Sequence, residues 1–176
     1  MRFSQLKKQF EQRLANSLKG KVKLYATVYR KAHDAPSKVW LMYEKEEILR
    51  ADDLAFQVQF NRQYEQDTKD MPKIPYNEDW RVMFASPERV QRVEVYETIE
   101  QQKMAAGFYE SWTVYDALLT YMNLSIEEAF MSTNPLIQAF SMIDYRLGKR
   151  RLIKVQAKHP LVQKFHRIRC QAEGLI

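Results

Sequence analysis

Between residues 21 and 43 apolar side chains recur at every second position, whereas from residue 86 onward they recur at every third or fourth. A chain whose hydrophobic period changes from two to about 3.6 builds strands first and helices afterwards, which places it in the α+β class. Ahead of the strands, Leu6, Phe10, Leu14 and Leu18 recur near every fourth residue. Ser4 is a suitable N-cap there and Gly20 a suitable stop, so a first helix over this stretch is expected. Val22, Leu24, Ala26 and Val28 then define one strand face, and residues 38–43 alternate in the same way. His33-Asp34-Ala35-Pro36-Ser37 supplies the turn of a hairpin with a loop of about six residues. A third strand near residues 47–50 completes an antiparallel meander covered by the first helix.

Residues 52–66 stay ambiguous. Leu54, Phe56, Val58 and Phe60 alternate as a strand would, yet Phe56, Phe60 and Tyr64 also sit four apart. Residues 67–79, with two prolines and mixed charges, read as an exposed loop. Helix starts follow at Ser86-Pro87, at Ser111 or Thr113, at Ser125 with Glu128 as a capping box, at Asn134-Pro135 and at Pro160. For the helix from Pro135 two readings stay open. It either ends at Gly148, or runs past it with Asp144 pairing to an arginine across a turn; the second is preferred. The expected architecture is an N-terminal helix packed on a three-stranded antiparallel meander, followed by a C-terminal cluster of four or five helices. Residues 1–176 are expected to form a single domain, with 1–60 as helix plus meander and 86–176 as the helical part.

Composition narrows the chemistry. The four glycines lie far apart, so a phosphate-cradling loop or dinucleotide turn is excluded. One cysteine, Cys170, excludes an internal disulfide. His159, His166 and Cys170 fall near one helix face, but seven residues rise about 10.5 Å, too far for both histidines to share an ion. Asp52-Asp53 and Glu127-Glu128 are ordinary surface pairs, and no nucleophile elbow is present. No catalytic residue, cofactor or metal is assigned, and a non-enzyme is expected. The charged N-terminal string lacks the apolar core of a signal peptide, and the longest uncharged stretch, 129–143, is too short for a bilayer. A cytoplasmic protein without membrane contact is expected.

The net charge of +6 is unevenly placed: residues 1–45 and 146–176 each carry +8, and 46–145 carry −10. Either the ends fold against the middle and cancel, or they converge into one basic face. A symmetric hairpin loop sets Tyr29 opposite Trp40 and Lys31 opposite Lys38, among Lys21, Lys23 and Tyr25. Rings interleaved with lysines suit single-stranded nucleic acid, although a plain cross-strand pair explains them equally. Lys149, Arg150 and Arg151 form the densest basic cluster, with arginine forks suited to carboxylate or phosphate. The candidate macromolecule contacts are therefore Tyr29, Trp40, Lys149, Arg150 and Arg151.

Ser17-Leu18-Lys19-Gly20, Tyr29-Arg30-Lys31-Ala32-His33-Asp34, Leu124-Ser125-Ile126-Glu127-Glu128-Ala129, Asn134-Pro135-Leu136 and Gly148-Lys149-Arg150-Arg151-Leu152 resemble a family of short uncharacterised bacterial proteins. The resemblance spans nearly the whole chain, with residues 65–85 matching poorly and Tyr145 standing where similar sequences tend to have an arginine. It implies a bacterial cytosolic setting and no assigned activity. The expected function is non-catalytic protein binding of the immunity or accessory type, with a protein partner. Nucleic-acid binding through the hairpin face and the basic cluster is the alternative.

Overall fold

The computed structural model describes residues 2–31 and 37–176. They fold into two compact units, one of residues up to Asp52 together with Tyr109–Ile176, the other Asp53–Phe108. The first unit opens with α1 (Phe3–Arg13), followed by β1 (Val22–Val28), β2 (Ser37–Tyr43) and β3 (Glu46–Asp52), an antiparallel sheet in that order. It resumes with α5 (Ser111–Asn123), α6 (Ile126–Phe130), α7 (Pro135–Met142), α8 (Lys149–Leu152) and α9 (Pro160–Ala172). The second unit holds α2 (Asp53–Thr68), α3 (Trp80–Phe84) and α4 (Pro87–Ala105). The α+β class and the order of helix, meander and helical cluster are as the hydrophobic period required.

Core packing in the first unit centres on Phe140, whose ring meets Phe10 at 5.7 Å, Tyr121 at 5.7 Å and Phe165 at 6.4 Å. Edge-on and tilted aromatic packing of this kind joins α1, α5, α7 and α9 into one cluster. Val22, Leu24, Val39, Leu41 and Leu49 bury the inner face of the sheet. Ala26 and Val28, expected on that face, are instead exposed, so β1 is covered over only its first half.

Several boundaries differ from the sequence expectation. Ser4 lies within α1, and Arg2 holds the cap position. The helix stops at Arg13, seven residues before Gly20, because the backbone there pairs with residues 143–145 instead. Ala15 N donates to Ile143 O at 2.9 Å and Tyr145 N to Arg13 O at 2.9 Å. Gly20, at φ +78°, serves the turn into β1, where its missing Cβ permits the left-handed backbone. Arg13 itself donates to the carbonyls of Tyr121 and Met122, satisfying the open end of α5. Glu110, rather than Ser111 or Thr113, holds the cap position of α5.

The hairpin register is also displaced. Tyr25 pairs with Trp40, Thr27 with Lys38 and Lys23 with Met42. Tyr29 therefore does not face Trp40, and Lys31 does not face Lys38. The displacement is an even number of residues, so each side chain keeps its face while its cross-strand neighbour changes. Eight residues separate the two strands instead of about six; the expected turn at residues 33–36 lies outside the described residues.

Residues 52–66 resolve into α2, in which Phe56, Phe60 and Tyr64 stack one turn apart at 5.9 and 6.0 Å. The loop expected over 67–79 is present after Thr68. Ser86, Asn134 and His159 cap α4, α7 and α9, and Ser125 with Glu128 closes the capping box of α6. The helix from Pro135 does not continue past Gly148. It ends at Met142, and Gly148 is the N-cap of the separate single turn α8.

Candidate functional site

On the outer face of the sheet, Tyr25 and Trp40 stack with centroids 5.4 Å apart and planes 16° from parallel. The Lys7 ammonium stands over the Tyr25 ring at 4.8 Å, and Lys38 over Trp40 at 5.0 Å. Each ring thus has one aromatic and one cationic neighbour, and both rings stay partly exposed. Lys38 also pairs with Glu47 at 3.7 Å, and beside the rings Arg50 pairs with Asp52 at 2.7 Å. Tyr29 lies just beyond β1, 48% exposed, and its hydroxyl acts electrostatically on Arg50, the residue paired with Trp40 in β3.

Of the basic cluster, Lys149 Nζ contacts Glu173 at 2.8 Å and Arg151 Nη1 contacts Glu127 at 2.6 Å. These hydrogen bonds hold both glutamates below the usual carboxylate range. Arg150 is exposed on the same turn. The structure thus ties the cluster to α6 and α9, and the hairpin to α1 and β3. Among the described residues no ion pair or ring contact joins Tyr29 or Trp40 to Lys149, Arg150 or Arg151.

Between α7 and α8 the chain contributes to a buried polar network that sequence reasoning captured only through Asp144. Its carboxylate, 1% exposed, accepts from Arg146 Nε and Nη2 at 3.0 and 2.6 Å and from the Tyr121 hydroxyl. Burial and the Asp144 charge push the Tyr121 phenol well above its ordinary range. Arg169, 5% exposed, contacts Glu173 through Nε at 3.0 Å. The signal for this network was the short spacing of Asp144 and Arg146, which excludes a helical i,i+4 pair and suggests a turn.

His166 and Cys170 do approach each other, with Nε2 to Sγ at 3.3 Å, but the same Nε2 lies 2.8 Å from Leu152 O. A carbonyl only accepts, so Nε2 carries the proton and is not a base toward the thiol. Burial pushes the Cys170 thiol up, which further disfavours a thiolate. Among the described residues no three His, Cys, Asp or Glu side chains gather as a metal set, and no helix is long and apolar enough to cross a membrane.

The second unit carries a surface that the sequence reading passed over. Phe56, Phe60 and Ile99 form its small core. The five residues of α3, Trp-Arg-Val-Met-Phe, include no buried side chain, and Trp80, Val82 and Phe84 are 61%, 54% and 54% exposed. Arg81 stands over the Trp80 ring at 5.6 Å and Arg89, from α4, over Phe84 at 5.4 Å. Neither arginine forms an ion pair with a described carboxylate. The sequence pattern gave no sign of a helix at 80–84, and only the structure shows it and the exposure of its apolar side chains.

The fold and its surfaces define a small α+β protein whose exposed chemistry is aromatic and arginine-rich. The chain belongs to the SF0329 protein family, an uncharacterised family whose profile matches residues 2–170. No curated protein and no solved structure matches it.

Proposed function

We propose that this chain is a non-catalytic binding protein of the accessory or immunity type, docking a protein partner through the α3–α4 face. The exposed ladder of Trp80, Phe84, Arg81 and Arg89 carries this reading. Tryptophan and arginine dominate binding energy at protein interfaces, and large apolar side chains left together at a surface mark contact sites. Two arginines without carboxylate partners call for a partner that presents acidic groups between apolar ones. Nucleic-acid binding remains the second reading. The first unit favours it, with twenty-one Lys/Arg against twelve Asp/Glu, a net +9.

Affinity purification from the native host, followed by mass spectrometry, tests the proposal. A protein recovered with the wild type is expected to be lost with Trp80→Ala and with Arg89→Glu, each weakening binding about thirtyfold. Far-UV circular dichroism should be unchanged in both variants. Recovery of nucleic acid and no protein, or equal recovery by all three chains, overturns the reading.

A further inference from the structure

A cleft of about 560 Å³ in the first unit brings together segments far apart in the chain: residues 12–19 within and after α1, 145–149 leading into α8, and the end of α9. Lys19, Lys149 and Arg169 line it, with Glu173 as its one carboxylate. That carboxylate is divided among Ser17 Oγ at 2.7 Å, Lys149 Nζ at 2.8 Å and Arg169 Nε at 3.0 Å. Lys19 forms no ion pair with a described carboxylate. Three cations against one anion give the lining a formal excess of two positive charges.

The buried carboxylate of Asp144 relieves them only in part, because it is shared with Arg146. Asp144 is committed to Arg146 and Tyr121; it meets Arg169 through its backbone oxygen, at 3.4 Å from Nη1, and its charge acts on that guanidinium as well. Arg169 is nearly buried at the wall of the cleft, where a cation attracts an anion more strongly than it would in water. At the rim stands Tyr145, 56% exposed, with its backbone pinned by the bond from its N–H to Arg13 O. Asn16 and Gln12 add side-chain amides.

We infer that this cleft binds a small phosphomonoester, with its phosphate on Lys19, Lys149 and Arg169 and a planar organic group against Tyr145. A phosphomonoester carries close to two negative charges at neutral pH, matching the local excess, where a carboxylate would leave one positive charge unanswered. The volume is that of a small-molecule site and exceeds what a bare phosphate fills. Glu173 stays in place, orienting Lys149 and Arg169 toward the ligand. The inference is independent of the α3–α4 docking surface.

Calorimetric titration of the full chain at low ionic strength, with a nucleoside 5′-monophosphate and with inorganic phosphate, tests it. Saturable one-site binding of the nucleotide is expected. Lys19→Ala and Lys149→Ala replace exposed side chains and should each weaken both probes about tenfold. Tyr145→Ala should weaken the nucleotide and leave inorganic phosphate unchanged, while Lys154→Ala, outside the cleft, should change neither. Absence of saturable nucleotide binding by the wild type overturns the inference. So does wild-type affinity in both Lys19→Ala and Lys149→Ala. Equal loss for both probes in Tyr145→Ala overturns the place assigned to the organic group.

Discussion

Tyr109 is 2% exposed, and its hydroxyl has no hydrogen-bond partner among the described residues. Burial pushes its phenol from 10.0 up to about 12. The unfolded chain thus gives up this proton near pH 10, whereas the native protein keeps it until about 12. Across that window the unfolded state binds fewer protons, so stability falls as pH rises; below pH 10 the contribution is whole. Tyr121 moves in the same direction, through burial first and the Asp144 charge second. Tyr109→Phe removes a buried hydroxyl that gains nothing from the fold. It is expected to raise stability by about 1 kcal/mol at neutral pH and to make the alkaline loss shallower. Urea denaturation at about pH 7 and pH 11 reads both effects; a loss of stability at neutral pH would contradict this account of Tyr109.

Strand pairing shows how an element differs from the sum of its residues. Alternation identified which side chains share a face, because that property survives any even shift of register. Pairing partners depend on loop length and on packing over the sheet, and there the symmetric loop placed Tyr29 where Tyr25 stands. If the Tyr25–Trp40 stack is a stabilising pair and not a ligand platform, a double-mutant cycle of Tyr25→Ala and Trp40→Ala should give a coupling of about 0.5–1.5 kcal/mol in stability. A coupling near zero would mean that the rings do not support each other. The end of α7 teaches the same lesson. Local pattern runs on through Ile143 and Leu147, yet bonds from residues 13 and 15 claim the backbone at 143–145 and end the helix.

At the scale of the molecule, the two units differ in what stabilises them. The first buries the sheet and four helices around Phe140, while the second relies on Phe56, Phe60 and Ile99 with Tyr64 and Val95 packed alongside. Burial of few apolar side chains leaves less free energy opposing local opening. Native-state hydrogen exchange should therefore find the central amides of α2 and α4 opening at lower free energy than those of α5 and α7. Equal protection across all four helices would refute this. Charge divides along the same line, with +9 on the first unit and seven Lys/Arg against ten Asp/Glu, −3, on the second. The basic ends of the chain thus lie in one unit, and the acidic middle is split between both.

What the amino-acid order determined by itself was the class and sequence of elements. Hydrophobic period, capping residues and prolines act over a few neighbouring positions, so Ser86, Ser125 and Asn134 could be read where they stand. The absence of clustered glycines and of a second cysteine was equally direct. Tertiary structure alone decided the hairpin register, the early end of α1, the break between α7 and α8, and the helix at 53–68. In each case contacts between distant residues compete with the local pattern. It also decided the sites. Lys19, Tyr145, Lys149 and Arg169 share a cleft only because the turn after α1 packs beside the segment before α8. Exposure of Trp80 and Phe84 is likewise a property of what fails to cover them, and no spacing of residues along the chain encodes that.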